Sequence, residues 1–158
     1  MAYKYEWLPG RLVPEELIEQ MSQLYSSQYG CWSRESKRNP GGAVRLPPAG
    51  IMALLVPDVA RVAYAVQDNE IVGCAIAIQA KVPDYGFISW VTQLVVHQDH
   101  RQQNIAKSLL FAIWTFTDHF AWGAPTSRHL LPCLESRAVR DIYSLFASVR
   151  TDTSLRTA

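Results

Sequence analysis

With 158 residues, 49% hydrophobic and 18% charged, the chain is long enough to bury a core in one domain and too apolar to be disordered. A formal charge of +1 provides no basic footprint, so no nucleic acid is expected as a partner. No apolar run reaches transmembrane length, and the opening Met-Ala-Tyr-Lys-Tyr-Glu-Trp lacks a signal-peptide core. No membrane partner is therefore expected, and the cytoplasm is the expected location.

The three cysteines, Cys31, Cys74 and Cys133, are widely spaced and odd in number, which suits a reducing compartment better than a disulfide framework. Cys74 falls in an apolar run and reads as a small buried side chain. His97, His100, His119 and His129 have no metal-ligand spacing, so no metal is expected.

In chain order, Tyr3 to Leu8 predicts a short strand that ends at Pro9-Gly10. Val13-Pro14-Glu15-Glu16 opens a helix with an early proline and acids in its first turn. Leu17, Met21, Leu24 and Tyr25 recur at helical spacing, and Tyr29-Gly30 marks the end. Cys31 to Gly50 reads as a loop or mobile segment able to close over a substrate. Trp32 there either contacts the acceptor or tethers the segment to the core. Ile51 to Val56 predicts one or two helical turns before Pro57.

A hairpin follows. Val62, Tyr64 and Val66 alternate with Ala63 and Ala65, Asp68-Asn69-Glu70 supplies the turn, and Ile71 to Ile78 returns. Pro83-Asp84-Tyr85-Gly86 makes the next turn. The strand from Phe87 to Val96 then places Ile88, Trp90, Thr92, Leu94 and Val96 on one face, with Ser89, Val91, Gln93 and Val95 on the other. A helix running to about Thr117 carries an apolar stripe of Ile105, Leu109, Ala112, Ile113 and Phe116, with Lys107, Ser108 and Thr115 outward.

The junction between that strand and that helix, Val96 to Leu110, carries the most chemistry. A strand, a polar turn and a helix start leave first-turn amides free for an anion, and Arg101 just ahead of the turn adds a charge-assisted contact. Arg101-Gln102-Gln103-Asn104-Ile105-Ala106 resembles the signature of the GCN5-related N-acetyltransferase (GNAT) superfamily: Arg or Gln, two variable residues, Gly, one variable residue, then Gly or Ala. Val96, Leu109 and Leu110 fall where that family keeps apolar residues. Asn104 departs from the pattern, standing where Gly is usual; Asn tolerates a positive φ better than most residues but not a very close approach.

The resemblance implies a mixed α/β fold of the acyl-CoA N-acyltransferase type, with a mainly antiparallel central sheet flanked by helices. It implies acetyl-CoA as cosubstrate, an amine as acceptor, and direct attack of the amine without an enzyme nucleophile. The backbone of Arg101, Gln102, Gln103, Asn104, Ile105 and Ala106 would cradle the pyrophosphate, and a bulged backbone at Leu94, Val95 and Val96 would orient the thioester carbonyl. Gln93 cannot be a general base; it holds a water or the acceptor, or is simply a polar group on the less buried face. Ser136 to Tyr143 loosely resembles the family's late-helix element, which makes Tyr143 the candidate acid for the departing thiol, its reference pKa near 10 suiting that role. The alternative is a packing or interface tyrosine.

Beyond Gly123 the resemblance weakens. Ala124-Pro125-Thr126-Ser127 interrupts a strand that Phe120-Ala121-Trp122-Gly123 begins, and Pro132 stops His129-Leu130-Leu131. Leu134 to Val149 reads as one helix, followed by a polar tail. Residues 1–123 therefore read as the acetyltransferase-like core and 124–158 as an atypical C-terminal segment without the closing strands. Such an incomplete sheet is open to homodimerisation. The runner-up is a noncatalytic or truncated acetyltransferase-like protein acting through protein contacts. An unrelated nucleotide-binding α/β domain trails, since Gly-x-Gly-x-x-Gly and Walker-type motifs are both missing.

Overall fold

A computed structural model describes residues 2–37, 39–82, 86–114 and 119–123, all within the compact unit Met1–Gly123. Among these residues five strands form one sheet in the order β1-β2-β3-β4-β5. They are β1 (Lys4–Pro9), β2 (Ala60–Gln67), β3 (Glu70–Val82), β4 (Gly86–Val96) and β5 (His119–Gly123). The first four pair antiparallel and β5 joins β4 in parallel. Three helices accompany them: α1 (Glu15–Gln28), α2 (Pro48–Leu54) and α3 (Ile105–Trp114). The mixed, mainly antiparallel sheet expected from the resemblance is thus present.

Local chemistry explains most boundaries. Asp68 and Asn69 both adopt positive φ, 51° and 66°, and Gln67 faces Glu70, which is the two-residue hairpin turn that suits the twist of the strands. Pro14 caps α1 and Glu15-Glu16 fill its first turn. α2 starts earlier than the apolar run suggested, because Pro48 takes its first position, where a missing N–H costs nothing.

The sheet carries a core on each face. On one, Leu17, Met21, Leu24 and Tyr25 of α1 and Ile51 of α2 pack with Val62, Cys74, Ile76 and Val95. On the other, Ile105, Leu109 and Ile113 of α3, each no more than 2% exposed, cover the sheet. Fully burying each such side chain contributes on the order of 1.5–3 kcal/mol. The floor beneath α3 is small: a Cβ on Gly73 would lie 3.1 Å from both Ile105 Cγ2 and Leu109 Cδ1, and the neighbouring Ala75 is fully buried.

Two expectations change. Strict alternation along β4 fails at Thr92: Gln93 faces Ile76 while Val91 faces Ala77, so Thr92 is an extra residue. Directly opposed residues share a face, so Gln93 and Val95 join Ile88 and Trp90 on the α1 side. Leu94 and Val96 join Ser89 and Val91 on the α3 side. The bulge also lies at Thr92, ahead of Leu94 to Val96 where it was expected. Secondly, the segment after α1 is tied down. Cys31 bridges Ala43, Ser22 Oγ donates to the Leu46 carbonyl at 2.8 Å, and Ser26 Oγ accepts from the Leu46 amide at 3.1 Å. The turn 83–85, the helix expected over 134–149 and the question of closing strands lie outside the described residues.

Candidate functional site

β5 reaches only part of β4. Its partners are Phe87 to Trp90, and among the described residues no strand pairs with Thr92 to Val96 on that side. The amide of His97 donates to the Val72 carbonyl at 2.8 Å. Bonding direction alternates along an antiparallel ladder, so Val95 and Gln93 also turn their amides to β3. Leu94 and Val96 turn theirs to the open side. Among the described residues these two backbone donors have no strand partner, and they lie next to the start of α3.

The connection from Val96 to Ile105 is a sequence of local solutions. His97 Nδ1 accepts from the Asp99 amide at 3.3 Å. Gln98 to His100 form one tight turn, closed by the His100 amide on the His97 carbonyl at 3.0 Å. Gln102 and Asn104 then both adopt left-handed backbone, φ 62° and 60°. The Asn104 carbonyl accepts the first helical bond, from Ser108 at 3.0 Å. The amides of the first turn of α3 consequently have no partner within the helix and carry its positive dipole end.

A cleft of about 350 Å³ opens at this point, lined by Val96, His100, Arg101, Gln102, Asn104, Ile105, Ala106 and Lys107. Free amides, a helix N-terminus and two cationic side chains are the donor set that a pyrophosphate requires. The exposed Gln102 and Asn104 and the half-buried Ala106 leave the backbone approachable. These residues fit an acyl-CoA phosphate, while among the described residues no group of three or more His, Cys, Asp or Glu could hold a metal ion. No helix among the described residues is long and apolar enough to cross a membrane.

Not every candidate enters the cleft. Arg101 lines it but donates Nε to the Val96 carbonyl at 3.2 Å and Nη2 to the Gln28 carbonyl at 2.7 Å. Gln103 is drawn away from it, accepting from Tyr3 Oη at 2.5 Å. Val95 has its side chain in the α1-side core. Gln93 lies on that same side, its Oε1 buried without a hydrogen-bond partner among the described residues. Tyr143 lies outside the described residues.

Sequence reasoning missed three contributors. Tyr3 also bonds His100 Nδ1 at 3.1 Å. The Gln28 side chain accepts from the Gln98 amide at 3.1 Å, and the Thr92 hydroxyl donates to the Ile76 carbonyl at 3.2 Å. Of these, only the bulge has a local signal, a polar β-branched residue in the middle of an apolar strand. The other two act across long sequence separations.

Elsewhere, burial pushes the Cys74 thiol up to about 12. Desolvation, with the Glu6 carboxylate it hydrogen-bonds, pushes Tyr64 up to about 12. Both belong to the α1-side packing and neither lines the cleft.

The fold and this sequence have known counterparts. The Acetyltransferase (GNAT) family model matches residues 18–124. Among solved structures, a ribosomal-protein-alanine N-acetyltransferase from Brucella melitensis biovar Abortus 2308 superposes with a TM-score of 0.56 at 20% identity, covering 91% of this chain and 89% of that one. An aminoglycoside acetyltransferase, meta-AAC0020, from an uncultured soil metagenomic sample and solved with sisomicin, gives 0.58 at 18% identity, with 87% of each chain covered. The aminoglycoside N-acetyltransferase AAC(6')-Iy, solved with CoA, gives 0.58 at 17% identity over 85% of this chain and 83% of that one. No curated protein sequence matches the chain. The family match spans β2 to β5, α3 and the turn between β4 and α3, and the chain belongs to the GNAT family of acetyltransferases.

Proposed function

We propose that this protein is an acyl-CoA-dependent N-acetyltransferase that moves an acetyl group to a primary amine by direct attack within a ternary complex. The observation that carries the reading is the left-handed Asn104 at the start of α3, set beside the end of β4, whose β5 side has no strand among the described residues. Two groups of backbone donors lie at this end of the sheet. The first-turn amides of α3, with Lys107 and part of Arg101, suit the pyrophosphate. The amides of Leu94 and Val96 suit the acyl arm, where a fixed donor lowers the cost of charge developing on the thioester oxygen.

Acetyl-CoA supplies an activated acyl group whose thiolate departs readily. The chain's own residues bind, orient and exclude water. Gln93 supplies a hydrogen-bond acceptor but no base, and Tyr143 is the proposed proton donor to the leaving thiol. Relatives solved in this fold include enzymes named for aminoglycosides and for a ribosomal-protein alanine, which supports an amine as acceptor. The free thiols of Cys31 and Cys74 suit a reducing cytoplasm.

Calorimetric titration with acetyl-CoA, followed by a thiol-release assay across aminoglycosides, polyamines and peptides with a free N-terminus, tests the proposal. Saturable binding and amine-dependent thiol release are expected. Binding without release for any amine would favour the noncatalytic reading, and no binding by folded protein would defeat the cofactor assignment.

A further inference from the structure

The end of α1 grips the cofactor turn. Gln28 is the last residue of α1, so its carbonyl is among those left without an intrahelical partner and carries the negative end of the helix dipole. The Arg101 guanidinium meets that carbonyl at 2.7 Å. A second Arg101 nitrogen holds the Val96 carbonyl at 3.2 Å, and the Gln28 side-chain oxygen takes the Gln98 amide at 3.1 Å. Two bonds therefore tie the end of α1 to the turn that opens α3, and a third ties that turn to the end of β4.

We propose that Gln28 is a positioning residue for acyl-CoA, holding the Gln98–Arg101 turn so that the amides at the start of α3 are already aimed when the pyrophosphate arrives. This rests on the acetyl-CoA reading above. It assigns Arg101 a structural grip alongside its charge: a guanidinium committed to two carbonyls keeps its orientation before any ligand is bound. It also links the cofactor turn to α1, whose C-terminal end leads into the Cys31–Gly50 segment. Ordering the turn in advance removes an entropic cost from binding.

The physical logic specifies a double-mutant cycle. Gln28→Leu preserves the helix and removes the accepting oxygen. Gln98→Pro removes the donor instead; position 98 opens a tight helical turn and follows the extended His97, φ −55° and ψ 138°, a setting that accepts proline. If the bond is the route, each change acts on the same interaction and the second adds nothing to the first.

Acetyl-CoA affinity of the full chain is read by calorimetry, and exchange of the Gln98 amide by NMR in the ligand-free protein. Gln28→Leu is expected to raise the acetyl-CoA Kd about fivefold, the loss of one net hydrogen bond, and to speed Gln98 exchange. In the Gln98→Pro background it is expected to leave the Kd unchanged. Wild-type binding with an unaltered Kd in Gln28→Leu overturns the proposal alone, as does an equal penalty in both backgrounds. If Gln98→Pro does not fold, unaltered Gln98 exchange in Gln28→Leu overturns it and faster exchange supports it. Failure of the wild type to bind acetyl-CoA overturns the functional reading and this proposal together.

Discussion

The Thr92 hydroxyl donates to the Ile76 carbonyl across 3.2 Å, at the point where β4 carries one residue more than β3. An extra residue interrupts the ladder, and a side-chain donor beside the interruption repairs part of it. The bulge also decides which way everything after it faces. Without it, Leu94 and Val96 would sit on the α1 side and Val96 would not line the cleft.

Thr92→Val keeps the side-chain shape and removes the donor. A loss of about 1 kcal/mol is expected, read as a lower urea midpoint at unchanged slope. Weaker acetyl-CoA binding should accompany it, because the bulge sets the direction of the Leu94 and Val96 amides. An unchanged midpoint would show that the hydroxyl has no part in holding the bulge.

Asn104 occupies a left-handed position, φ 60°, where the family's usual residue is glycine. Asn104→Gly is expected to fold with a midpoint within a few tenths of a kcal/mol of the parent and to bind acetyl-CoA at least as tightly. Asn104→Val places a β-branched side chain at positive φ and should cost roughly 1–2 kcal/mol. Equal stability of the two variants would contradict the backbone geometry.

Ala106 is half-buried in the first turn of α3 and lines the cleft. Ala106→Trp fills the approach to the first-turn amides. The acetyl-CoA Kd should rise by roughly tenfold or more, equivalent to about 1.4 kcal/mol, while the thermal midpoint moves little. Full affinity in this variant would place the cofactor elsewhere.

Alkaline pH should weaken the fold in a predictable window. The folded chain holds the Cys74 thiol up to about 12 against an ordinary 9.0, chiefly by burial, and Tyr64 up to about 12 against 10.0, by desolvation and the Glu6 carboxylate. The unfolded chain releases these protons first. Their contribution is therefore complete below about pH 9 and is lost as pH rises toward about 12. Urea midpoints should be flat near neutrality and fall through that window. Cys74→Ala should start from a lower midpoint, because it opens a small cavity, and then fall less steeply. A parallel fall would remove Cys74 as a cause.

What was legible in the chain was whatever rests on neighbours in sequence. Proline before paired glutamates starts α1, Asp68-Asn69 turns the hairpin, and apolar residues at helical spacing give α3 its buried stripe of Ile105, Leu109 and Ile113. The helix start after the turn at Arg101 to Asn104, on which the proposed anion site rests, was legible for the same reason: first-turn amides without an intrahelical partner are a property of any helix start. Even Asn104's positive φ could be anticipated, since few other side chains tolerate it.

Tertiary structure alone decided the rest. The side of the sheet that Gln93 and Leu94 occupy depends on one bulged residue, and a shift of one residue reverses every side chain beyond it. The depth of α3 on the sheet depends on Gly73 meeting Ile105 and Leu109 from another strand. The hold on Arg101 depends on the end of a helix formed by residues distant in the chain. Sequence periodicity records which groups can bury or bond; it carries no record of which distant group satisfies them, because that choice is made when loops close and the elements pack.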